Sequence, residues 1–240
     1  MSKNGDSTKS IPEWDRVLSA AARLQVVLPD SVLVGGTASA LYAGHRISRD
    51  ADHVIGDLTE RFDQVLGQLE SVAGWKTARV KRPVMILGSL DGIETGVRQL
   101  IRSVPLETKT IDYKGAVITV PTEEEMLRIK AVLILKRNAT RDYLDFVALG
   151  DRIGDERVGR GLESFDRLYP QPSGESALQQ LQTQLGNPMP YDLKEVNLSE
   201  YKNLDPKWHD WDVVVAAAAH LSGVIFDRAA QDVDEQDLGR

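Results

Sequence analysis

Apolar residues recur at helical spacing at Ile11, Trp14, Leu18, Ala21 and Leu24, behind a Ser10/Glu13 capping box with Pro12 in its first turn. Pro29-Asp30 ends that helix. The continuous apolar run of SVLVG, from Ser31, reads as a buried strand, and Ala38, Leu41 and Tyr42 share one face of a short helix from Thr37 to Ala43. DADHVI, from Asp50, is the next strand, and Phe62, Val65, Leu66 and Leu69 form the apolar side of a helix from Thr59 to Val72. The middle of the chain is strand-like. WKTARV and VMILGSL precede an Asp91-Gly92 hairpin turn into IETGVRQLI, and Lys114-Gly115 joins TKTIDY to AVITV.

Beyond Pro121 the period becomes helical. Thr122 and Glu125 form a second capping box ahead of Met126, Ile129 and Leu133. The NAT triplet at 138–140 interrupts this helix, and Thr140 caps the next one, which carries Asp142 and Asp145. A last buried helix is expected from Asp212 to Phe226. Together these elements predict an α+β fold: a mixed sheet of about five or six strands with helices packed on it, then an α-helical C-terminal domain. The expected division is 1–121 and 122–240.

Composition narrows the classes. The 240 residues are 42% apolar and 27% charged, an ordinary globular balance with enough length for one large core or two modest ones. The absence of cysteine excludes disulfides, thiolate zinc sites and cysteine nucleophiles. The longest apolar stretch, VVVAAAAHL, falls short of the roughly 20 residues that span a bilayer. With a polar segment from Met1 to Ser10, this gives the expectation of a cytoplasmic protein without a membrane partner. A net charge of −7 argues against a chain that is basic throughout. Lys76, Arg79, Lys81 and Arg82 are a local basic concentration, whereas Asp227 to Asp237 contribute five carboxylates.

The chemistry concentrates in residues 34 to 52. Gly35 and Gly36 let a turn approach a phosphate closely, and a helix opening at Thr37 aims free amides, its positive end and the Thr37 hydroxyl at the same β and γ phosphates. Asp50 and Asp52, two apart on a strand, face the same side about 6.6 Å apart and can share a divalent cation. Two such acids repel each other unless a cation lies between them. A triphosphate cradle beside paired carboxylates suits metal-assisted nucleotidyl transfer, with Mg2+ or Mn2+ as cofactor and an NTP as substrate. Arg137, seven residues after Lys130 and about 10 Å along the same helical face, would line one wall of the cleft with it.

Gly35, Gly36, Thr37, Gly44, His45, Arg46, Ser48, Asp50 and Asp52 form a motif that resembles the nucleotidyltransferase superfamily related to DNA polymerase β. Within it the sequence is most similar to the AbiEii/AbiGii-type (MenT-like) toxin nucleotidyltransferases. Lys130, Arg137, Arg141, Asp142, Tyr143 and Asp145 supply a second match in the expected order, and the likeness covers about residues 30 to 150. The resemblance implies transfer of a nucleoside monophosphate to an acceptor hydroxyl, with an RNA such as tRNA as acceptor and a cognate antitoxin as partner. It implies a third metal-binding carboxylate on a neighbouring strand, for which Glu94 is the candidate and Asp91 the alternative. It also gives Lys130 a place on the phosphates or on the leaving pyrophosphate. Asp142 either orients Lys130 or Arg137 or acts as general base, while Asp145 holds Arg141 or Arg137 in an ion pair. His45 and Arg46 read as structural, with Arg46 pairing to Asp142 or Asp145 and tying the two motifs together.

Overall fold

The computed structural model describes residues 13–238, with side chains through residue 230. The Ser10, Ile11 and Pro12 signals of the first helix therefore lie outside the described residues. The order is α1 (Glu13–Val27), β1 (Val32–Leu33), α2 (Gly35–Ala43), β2 (Asp50–Ile55), α3 (Phe62–Glu70), β3 (Trp75–Lys81), β4 (Met85–Leu90) and β5 (Ile93–Gln99). There follow β6 (Thr108–Tyr113), β7 (Ala116–Pro121), α4 (Glu123–Arg137), α5 (Thr140–Ile153), α6 (Asp155–Leu162), α7 (Phe165–Leu168), α8 (Ala177–Gly186) and α9 (Trp211–Leu238).

Five strands form one mixed sheet in the order β1-β2-β5-β4-β3, the α+β architecture anticipated from the pattern. β2 and β5 run parallel, and the other neighbours are antiparallel. The β4–β5 and β6–β7 turns have both central residues at positive φ: Asp91 (51°) with Gly92 (77°), and Lys114 (53°) with Gly115 (81°). That is the geometry whose twist matches flanking strands, which is why Asp-Gly was readable as a hairpin. The β6–β7 hairpin does not extend the main sheet; it stands as a separate two-stranded ribbon.

Several boundaries differ from the sequence reading. α2 begins at Gly35 rather than Thr37, so the glycine pair forms the first helical turn instead of a preceding loop. α3 is shorter than Thr59–Val72, because residues 57–61 form turns stabilised by the Asp57 carbonyl. Thr140 is the first residue of α5, not its cap; Ala139 holds that place, and the Thr140 hydroxyl donates to Asp192. Only half of the Thr122/Glu125 box forms. Thr122 accepts from the Glu125 amide, while the Glu125 carboxylate turns to Arg102 and Arg128.

One hydrophobic cluster joins Val17 of α1, Ile118 of β7, Met126 of α4, Phe146 of α5, Leu181 of α8 and Ile225 of α9. A second gathers Leu24, Ile55, Phe62, Val65, Ile86 and Val97 where α3 covers the sheet. α4 is buried on most of its circumference, including Arg128 and Lys130, because α5, α6 and α8 pack around it. α9 runs well past Phe226. Its stretch Trp211–Ala230 is long and apolar enough, by length and composition, to cross a membrane, contrary to the sequence reading. In this fold its Val214, Ala218, Leu221 and Ile225 stripe is buried in the helical core.

Candidate active site

The site lies where the start of α2, the face of β2 and the C-terminal end of α4 converge. No side chain caps α2, since Val34 precedes it, so the first amides of the helix keep their donors free. Gly35 sits at φ +76°, the left-handed region that favours glycine, and a Cβ there would lie 3.4 Å from the Asp52 Cβ. That distance is ordinary contact, so the backbone conformation rather than the approach to the acid selects glycine here. Gly35 and Gly36 line a polar cavity of about 270 Å³ together with Asp50, Asp52, Glu94, Lys130, Arg137 and Arg141. Thr37 does not join them: it is fully buried, and its hydroxyl donates to the Asp50 carbonyl, which leaves none for a ligand.

Alternation along β2 brings Asp50 and Asp52 to the cavity, while the parallel register places Glu94 of β5 opposite Asp50 and Gly96 opposite Asp52. Asp91, the alternative third acid, lies in the β4–β5 turn and pairs with Arg23. Glu94 reaches the cavity, yet among the described residues no group of three or more His, Asp or Glu side chains comes together to hold a metal. Among the described residues the three acids do not gather into one cluster, and Asp50 and Asp52 are the carboxylate pair that shares a strand at the cavity. That pair fits a hard cation. Burial first, and then the charge of Asp50, push the Asp52 carboxyl up from its ordinary value, against the pull of Arg98, Arg141 and Lys130. A divalent ion held by one or two carboxylates, with phosphate oxygens completing its shell, would relieve that repulsion.

The cationic wall is held from behind. Lys130 Nζ lies 2.7 Å from Asp145 Oδ2 and 3.7 Å from Asp142 Oδ1. Arg137 makes a two-point contact with Asp142, Nη2 to Oδ1 at 2.6 Å. Asp142 is fully buried and outside the cavity lining, so it orients Arg137 and does not present itself as a base. Asp145 takes Arg46, His45 and Lys130 rather than Arg141 or Arg137. Burial opposes its ionisation, but the charges of Arg46 and Lys130 and the His45 hydrogen bond hold its carboxyl well below the usual range. No hydrogen bond or ion pair holds Arg141 among the described residues, which leaves its guanidinium available to a ligand.

Sequence reasoning did not find the other rim. Ile47, Arg49, Glu200, Tyr201 and Lys202 also line the cavity. The Ile47 amide donates to the Lys202 carbonyl at 2.8 Å and the Asp205 amide to the His45 carbonyl at 2.7 Å, and Arg46 stacks over the Tyr201 ring at 5.6 Å. The segment before α9 thereby closes the cleft. Nothing in its local pattern signals this, because the contacts are backbone bonds between distant segments.

No family model matches the chain. Over 101 residues it is 35% identical to the mycolic acid-containing lipids exporter MmpL11 of Mycolicibacterium smegmatis, a stretch covering 41% of this chain and 11% of that protein. The chain thus spans about a tenth of the length of the curated relatives it matches. Two solved structures share its fold over nearly their whole length. One is JHP933 from Helicobacter pylori, with TM-score 0.55, 15% identity and coverage of 94% of this chain and 96% of that one. The other is a candidate nucleotidyltransferase from H. pylori, with TM-score 0.57, 16% identity and coverage of 91% and 95%. At such identities the likeness is one of fold.

Proposed function

We propose that this chain transfers a nucleoside monophosphate from an NTP to an acceptor hydroxyl, in the manner of the AbiEii-type nucleotidyltransferases. One observation carries the reading: two carboxylates, the uncapped start of a helix and the side chains of Lys130, Arg137 and Arg141 line one cavity. Mg2+, or Mn2+ in its place, would be held by Asp50 and Asp52 and would supply charge neutralisation at the phosphates. The amides of Gly35 and Gly36 bind phosphate oxygens at the positive end of α2. Lys130, Arg137 and Arg141 offset the negative charge that accumulates on the leaving pyrophosphate. The acceptor oxygen bonds to the α-phosphorus as the bond to pyrophosphate breaks. Its proton passes to a carboxylate at the cavity, for which exposed Glu94 is the candidate because Asp142 is taken by Arg137. Fixed geometry and preorganised charge account for most of the rate in such a scheme.

The finer reading is a toxin-type enzyme of the cytoplasm that modifies an RNA such as tRNA and is silenced by a cognate antitoxin. The likeness of both motif segments supports it. The test is incubation of purified protein with labelled NTPs, Mg2+ and total RNA. Label should enter RNA with wild type and not with Asp50→Ala or Asp52→Ala. Absence of label from every acceptor, with wild type and both variants alike in growth inhibition, rejects the catalytic reading.

A further inference from the structure

A second cavity, of about 140 Å³, adjoins the first and shares Gly35, Asp52 and Arg137 with it as a common wall. Its character is opposite. Val54, Leu106, Ile129, Val132 and Leu133 make it apolar, and most of its polar lining is already engaged. The Gln99 amide is fully used: its nitrogen donates to the Gly56 and Leu100 carbonyls, and its oxygen accepts from the Thr59 amide and hydroxyl. The Tyr169 hydroxyl accepts from Arg102, and Arg137 is held by Asp142. Two side chains remain: Asp52, which the triphosphate reading gives to the cation, and Arg98, with a thioether contact to Met85 as its hydrogen bond. A guanidinium donates hydrogen bonds and accepts none.

We propose that this cavity receives the base of the donor nucleotide and that it selects a pyrimidine with carbonyl edges, uracil ahead of cytosine and of both purines. The inference rests on the polar cavity being the triphosphate site. With phosphates at Gly35, Gly36 and the Asp50/Asp52 pair, the adjoining space across the Asp52 wall is where the nucleoside continues. Size favours one ring, since an apolar cavity of about 150 Å³ accommodates a benzene-sized ligand. Chemistry then separates the two pyrimidines. Uracil presents a carbonyl at C4, which accepts from Arg98, whereas cytosine presents an amino group there and sets donor against donor.

Calorimetric titration of the full chain with UTP, CTP, ATP and tripolyphosphate, each with Mg2+, tests this. UTP is expected to bind wild type at least tenfold more tightly than CTP or ATP. Leu133→Phe, which fills the cavity, should weaken UTP at least tenfold and leave tripolyphosphate unchanged. Arg98→Gln, at an exposed position that does not threaten folding, should bring the UTP/CTP ratio close to one. Equal affinity of wild type for all three nucleotides, or equal weakening of UTP and tripolyphosphate by Leu133→Phe, overturns the assignment while the triphosphate site stands. If wild type binds neither nucleotides nor tripolyphosphate, the triphosphate reading itself is refuted and the base site with it.

Discussion

Arg46 and Asp145, 99 residues apart in the chain, are joined by two hydrogen bonds, Nε to Oδ1 at 2.8 Å and Nη2 to Oδ2 at 3.1 Å. This fork binds the segment between α2 and β2 to the middle of α5. The same carboxylate also takes His45 Nε2 at 2.8 Å and Lys130 Nζ at 2.7 Å. An ionised carboxylate only accepts, so His45 Nε2 carries the hydrogen. One buried acid thus sets the positions of an arginine and a lysine that both line the cavity.

Removing that acid leaves buried cations without their counter-charge, which is far costlier than losing a surface ion pair. Asp145→Asn is expected to destabilise the chain by about 3–5 kcal/mol, in the range for breaking a buried pair. Urea unfolding checks this as a lower midpoint at an unchanged slope. A loss below about 1 kcal/mol would show that the cluster is not held by this charge.

Asp52 should behave in the opposite sense. Its carboxyl is pushed up by burial and by Asp50, so its charge works against folding in the absence of a cation. Asp52→Asn is expected to raise thermal stability by up to about 1 kcal/mol while abolishing transfer, the usual exchange at a functional site. Thermal unfolding in EDTA, paired with a labelled-NTP assay, reads both. A fall in Tm would contradict the repulsion argument.

The β2 alternation, the Asp91-Gly92 and Lys114-Gly115 turns and the Val32–Val34 run were legible because each is a local rule obeyed over a few residues. The partners of Asp145 were harder to assign. Arg46, Lys130, Arg137 and Arg141 were all offered as partners for two nearby acids, and only the packing of α2 and α4 against α5 decides among them, adding His45 that the sequence did not point to. Thr37 was misread for a related reason. Once the helix starts at Gly35, the Thr37 hydroxyl falls beside the Asp50 carbonyl instead of the cavity. The Glu200–Lys202 rim gave no signal, since its place depends on backbone bonds to residues over 150 positions earlier.

Gly36 carries a steric prediction. A Cβ built there would meet the Arg46 guanidinium and lie 2.8 Å from the Ser48 Oγ. A free arginine would swing aside, but this one is fixed by Asp145. Gly36→Ala should therefore displace Arg46 at the cavity and lower transfer at least about tenfold, a change of about 1.4 kcal/mol in the barrier. Global stability should fall by about 1–3 kcal/mol, the cost of overpacking. Assaying transfer and urea stability on the same preparation separates the two, and wild-type activity would mean Arg46 has room to move.

His53 gives the chain a pH dependence that can be isolated. The side chain is fully buried, Nδ1 donates to the Ala51 carbonyl at 2.9 Å, and Nε2 has no hydrogen-bond partner among the described residues. Burial pushes its pKa down from the ordinary 6.5 to about 4, the Ala51 contact opposing it. Between those values the unfolded chain binds a proton that the folded chain refuses, so stability falls as pH drops from 6.5 toward 4. Below the lower value both states are protonated and His53 contributes no further change. The loss amounts to about 3 kcal/mol. Urea stability measured from pH 7 to pH 4 for wild type and His53→Leu should give a difference curve with that slope and a plateau at its acid end. A flat difference curve would show that the imidazole is protonated or hydrated within the folded core.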